Sequence, residues 1–115
     1  MLLGIVSLLA GVGASADDTR PIRLETHAES GGVELRVIGE ATEQVAARYA
    51  LEVSSGAGNR SRQSGHARLV PGTPVVLLRL RLANSGARDW QAHLVVEPSG
   101  RESYEIVRTS AETAQ

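Results

Sequence analysis

Val75-Val76-Leu77-Leu78-Arg79-Leu80-Arg81-Leu82-Ala83 is the stretch whose reading decides the fold. From Val76 onward, Val76, Leu78, Leu80 and Leu82 alternate with Leu77, Arg79 and Arg81. That period of two puts one face of a strand in a core and the other in water. Wound as a helix, the same residues would set Arg79 within a turn of Leu78 and Leu82 and leave no clean apolar stripe. The stretch is therefore expected to be a strand, with Arg79 and Arg81 on its solvent face.

Working outward, Pro71-Gly72-Thr73-Pro74 precedes this strand as a turn, because proline cannot donate to a sheet ladder. Before it lies a polar run, Arg60 to Val70, read as a solvated edge strand or an irregular one. The short link makes the two runs expected hairpin neighbours. Nearer the start, Ile22 to Glu29 and Val33 to Ile38 both alternate apolar with charged residues around the hairpin turn Ser30-Gly31-Gly32. Val45 to Val53 follows, with Val45, Ala47, Tyr49, Leu51 and Val53 on one face and Arg48 and Glu52 on the other. Ala and Gln between Thr42 and Leu51 would also allow a helix, but the period of two runs through the same residues. Beyond the deciding stretch come Trp90 to Glu97 and Glu102 to Arg108, joined by Pro98-Ser99-Gly100-Arg101. Trp90, Tyr49 and Tyr104 read as core residues, the two tyrosine hydroxyls reaching a strand end. Seven short strands and no convincing helix predict an all-β fold, an immunoglobulin-like antiparallel β-sandwich.

The 115 residues suit one domain, and the formal net charge of -1 points to neither nucleic acid nor a membrane surface. The distribution of charge says more. Every one of the 12 basic residues is Arg, and Ala57 to Arg88 holds six of them with no acid. Residues 17–56 carry eight acids against four Arg, and residues 89–115 five against two. A nearly neutral chain thus has a basic middle. Zero Cys excludes disulfides, thiol chemistry and Cys-ligated zinc. Met1 to Ala16 carries no charge and ends Ala14-Ser15-Ala16. This is the apolar run and small-residue cleavage site of a secretory signal peptide, too short to span a membrane, although it lacks a basic leader. Residues 17–115 then form a single domain, with its core in 22–108 and a frayed tail at 109–115.

No catalytic constellation emerges. His27, His66 and His93 lack the short spacing of a zinc site and fall on strand faces. There is no Gly-x-Ser-x-Gly elbow, and Gly56-Ala57-Gly58 has no helix behind it. The chain is expected to be neither an enzyme nor a cofactor carrier. What stands out is Arg60, Arg62, Arg68, Arg79 and Arg81, expected to form a basic outer face on one sheet. Such a face would attract an acidic or polar partner, for instance an unfolded chain rich in Gln, Asn and carboxylates. The same arginines would also serve to keep a sheet edge from pairing with itself. Nucleic acid is disfavoured, because no aromatics interleave the block.

Three features carry a resemblance to a known family. They are Ala47-Arg48-Tyr49-Ala50-Leu51-Glu52-Val53 before a Ser/Gly-rich loop, Gln63-Ser64-Gly65 ahead of Pro71-Gly72, and the strand Leu78-Arg79-Leu80-Arg81-Leu82. Over roughly 22–107 the chain resembles the CsgC/CsgH family of periplasmic curli-assembly proteins. The resemblance implies an immunoglobulin-like sandwich that stops curli subunits polymerising into amyloid in the periplasm. Some members carry a Cys-x-Cys pair that would fall near Val45-Ala46-Ala47; its absence rules out any redox role and makes the Cys-free CsgH type the nearer likeness. The expectation is an exported, monomeric binder of an amyloidogenic curli-type subunit, without stable membrane association, using Arg60, Arg62, Arg68, Arg79 and Arg81. The competing class is a secreted immunoglobulin-like structural or adhesive module.

Overall fold

A computed structural model of the chain describes residues 20–55, 58, 60–83 and 89–110. The signal-peptide reading of 1–16 lies outside these residues, as does the tail beyond Ser110. Among the described residues seven strands occur, in chain order: β1 (Ile22–Glu29), β2 (Gly32–Gly39), β3 (Val45–Ser55), β4 (Arg60–Leu69), β5 (Val75–Ala83), β6 (Trp90–Pro98) and β7 (Tyr104–Thr109). All pairings between strands are antiparallel, in a sheet of order β1-β2-β5 and a second of order β4-β3-β6-β7. The fold is the expected all-β sandwich. The stretch with helix-favouring composition, Thr42 to Leu51, is strand from Val45 on, because each alternate residue there finds a place in the core.

The inner faces meet in one apolar layer. Ile22, Leu24, Val33, Leu35 and Val37 from the smaller sheet face Val45, Ala47, Leu51, Val53, Leu69, Ala92, Leu94 and Val96 from the larger. Trp90 is buried at 3 % exposure, as its place at the head of a strand led us to expect. Tyr104 reaches across the sandwich: its hydroxyl accepts from the Ile22 N–H at 2.8 Å and donates to the Ile22 carbonyl at 2.7 Å. One side chain thereby satisfies both backbone groups where β1 begins. At the other end, Thr109 pairs with Gln91, and the Ser110 hydroxyl accepts from the Trp90 N–H at 3.3 Å, so order extends two residues into the stretch expected to fray.

Two expectations about β4 and β5 need correction. They are not hairpin neighbours: β4 is an edge of the larger sheet and β5 an edge of the smaller. Leu69 at the end of β4 is packed into the core beneath Gly39, and Pro71 bridges to Ala41, so the chain leaves β4 already committed to crossing between layers. Pro71 and Pro74, which have no N–H to donate to a ladder, then carry the link with Gly72 (φ +81°) between them. The second correction concerns phase. Leu78, Leu80 and Leu82 face the core as expected, but Val76 lies opposite Ile38 while Leu78 lies opposite Val37, leaving Leu77 as an inserted residue. This β-bulge moves Val76 to the outer side, 43 % exposed, and packs Leu77 against the core instead.

Candidate functional site

β4 presents Arg60, Arg62, Ser64, His66 and Arg68 on the outer side of the larger sheet, since the alternate positions Ala67 and Leu69 are buried. Register sets each beside a residue of β3: Arg60 by Ser54, Arg62 by Glu52, Ser64 by Ala50, His66 by Arg48 and Arg68 by Ala46. Arg48 donates from Nε to His66 Nε2 at 3.1 Å, which makes the imidazole an acceptor and leaves the rest of the guanidinium facing out. Arg48, Arg62, His66 and Glu97 rim an open groove of about 470 Å³ whose floor includes Ala50 and Val95. The sequence had placed Arg48 on a solvent face, yet only the β3–β4 register shows that it joins the basic row of β4.

Arg79 and Arg81 project from the outer side of the smaller sheet. Arg81 lies opposite Glu34 and forms an ion pair with Glu29 at 2.8 Å, its side chain still 67 % exposed. Arg79 lies opposite Arg36. The rest of that face is internally neutralised, with Arg23 bonded to Glu25 and Glu40 at 2.9 Å each, and Arg36 to Glu34. The Arg23 guanidinium holds the Glu25 carboxyl below the usual carboxylate range, with smaller help from His27. Arg36, and more weakly Arg79, does the same for Glu34.

The five arginines therefore do not form a basic face on one sheet. Three stand on the outside of one layer and two on the outside of the other, and they wrap the side of the sandwich where β4 and β5 are both edges. A small apolar cleft runs between the two strands, about 180 Å³, lined by Val53, Ser55, Arg60, Ser61, Leu80 and Leu82. Among the described residues, Arg20, Arg48, Arg60, Arg62, Arg68, Arg79 and Arg108 have no carboxylate within 4.0 Å, whereas Arg23, Arg36, Arg81 and Arg101 do. Five of these seven guanidinium groups, those of Arg48, Arg60, Arg62, Arg68 and Arg79, lie along this one side, whereas Arg20 stacks over the Tyr104 ring and Arg108 stands on β7. The histidines lie apart, each with its own neighbour: His27 with Glu25, His66 with Arg48 and His93 with Glu105.

This is a seven-stranded sandwich of immunoglobulin type with β4 paired to β3 rather than to β5. Its fold is CsgC/CsgH-like. R. palustris CsgH superposes with a TM-score of 0.59 at 20 % identity, over 79 % of this chain and 92 % of that one. The E. coli curli protein CsgC gives 0.56 at 13 % identity, over 75 % and 94 %. No family model and no curated protein sequence matches the chain.

Proposed function

We propose that this chain is a periplasmic, chaperone-like inhibitor that keeps curli-type amyloid subunits from polymerising before secretion. It acts as a monomer, without a cofactor, and is not an enzyme. The observation that carries the reading is the row of arginines without carboxylate partners along β3, β4 and β5 on a CsgH-like fold. Guanidinium groups bind carboxylate and amide groups through several N–H donors at once. Exposed charges of this kind steer encounter and give fast, weak contacts rather than tight complexes. Such contacts suffice to intercept a rare nucleus, so inhibition is expected at well under one inhibitor per subunit. The curli protein CsgC among the similar folds supports the choice of client.

The test is dye-monitored fibrillation of a curli-type subunit at a low ratio of this protein. The wild-type chain should lengthen the lag, and Arg60→Glu, Arg62→Glu and Arg68→Glu combined should abolish that delay while leaving the fold, read by circular dichroism, unchanged. A correctly folded triple variant that delays fibrils as well as the parent would overturn the electrostatic mechanism. No delay by the wild-type chain would favour a structural or adhesive module instead.

A further inference from the structure

The sheets differ by one strand, and three strands do not cover four. Tyr104 of β7 reaches Ile22 of β1, so β1 lies across the β7 side. Leu80 and Leu82 of β5 line a cleft with Val53 of β3 and Ser61 of β4, so β5 lies across β3. What stays uncovered is the first half of β4. Ser61 and Gln63 occupy core-facing positions there and are nonetheless exposed, whereas Ala67 and Leu69, the same side of the same strand, are buried. The Tyr49 ring leans over Gly65 and closes the uncovered length at that end. Sandwiches of the variable immunoglobulin type, which likewise extend the larger sheet beyond the equivalent of β3, fill the matching position with a fourth strand paired to the equivalent of β5. Among the described residues, nothing pairs with that edge of β5.

We infer that the outer edge of β5 is a strand-docking site for an extended partner segment, apolar on one face and acidic on the other. Added beside Leu78 to Leu82, the segment would continue the smaller sheet over β4. Its inward side chains would cover the half-buried flanks of Leu80 and Leu82 and the space above Ser61 and Gln63. Its outward side chains would lie beside Arg79, which has no ion pair among the described residues, and Arg81. Backbone hydrogen bonds supply affinity in this mode, and alternate side chains supply specificity. The uncompensated charge selects an acidic outer face, and the leucine flanks select an apolar inner one. The inference rests on the preceding section only for the natural partner's identity.

The test is an NMR titration of the isotope-labelled full chain with a short synthetic peptide of alternating Val and Glu. Shift changes should centre on Leu78 to Leu82 and on Ser61 to Gln63. N-methylating alternate peptide amides should weaken binding by about tenfold or more, the scale of losing one or two hydrogen bonds. Ser61→Trp, which fills the uncovered space from an exposed position, should do the same; so should replacing Glu by Arg in the peptide. Equal binding of the N-methylated peptide, shifts confined to the groove of Arg48 and His66, or no binding at all would overturn the strand-docking site and leave the proposed inhibition standing. Docking as described without any delay of fibrils would overturn the inhibition alone.

Discussion

Tyr104 shows how much one side chain can hold at the residue scale. Its hydroxyl satisfies both the N–H and the carbonyl of Ile22, which is fully buried, so no water can replace it. Tyr104→Phe is therefore expected to destabilise the fold by about 1–3 kcal/mol, the cost of stranding buried polar groups, read as a lower denaturant midpoint. Gly39 is constrained differently. A Cβ there would come within 2.6 Å of Leu69 Cδ2, and Leu69 is enclosed at 1 % exposure. Gly39→Ala should cost about 1–3 kcal/mol by overpacking, measurable in the same experiment. The tyrosine's reach to a strand end was legible in the sequence, because a buried phenol needs a partner. The Gly39–Leu69 contact was not, since it depends on how β2 and the end of β4 cross.

At the scale of the element, β4 is two half-strands with different duties. Its second half belongs to the core through Ala67 and Leu69, and its first half is solvated on both sides. Leu69→Ala should cost about 2–5 kcal/mol, whereas Gln63→Ala should stay within about 0.5 kcal/mol by thermal or chemical unfolding. A comparable loss at both sites would mean that the first half of β4 is covered. The polar composition of Arg60 to Gly65 announced an edge, but not that its core-facing positions would lie open. β5 teaches the converse. Its alternation was visible residue by residue from Leu78 to Leu82, while the bulge at Leu77 was hidden because Val76, Leu77 and Leu78 are all apolar and either phase satisfies them.

Over the whole molecule, charge ties stability to pH and binding to salt. Glu25 and Glu34 titrate below the usual carboxylate range in the fold because guanidinium partners favour their ionised forms. A carboxyl with a depressed folded value contributes stability above its unfolded value, and that contribution is lost as pH falls through the folded one. Stability should therefore be level near neutrality and decline on acidification below the ordinary carboxylate range, and Glu25→Gln should flatten the decline in denaturant titrations. The Arg23–Glu25 pair is partly exposed and screened by solvent, so its share of the slope will be shallow, whereas Glu34 is buried at 8 % exposure. Inhibition of fibrils should weaken from low to high salt, since the arginines of β4 act through solvent. An inhibition indifferent to salt would point to backbone pairing at the β5 edge as the dominant contact.

Local alternation determined the strands and, away from the bulge at Leu77, their inward and outward faces, because a period of two is a property of neighbours along the chain. The basic middle was equally plain in composition. Only the tertiary structure decided which strands share a sheet, and so whether five arginines make one face or wrap one side. A five-residue link can fold back as a hairpin or cross between layers with nearly the same sequence, and the choice rests on distant partners, Gly39 over Leu69 and Ala41 beside Pro71.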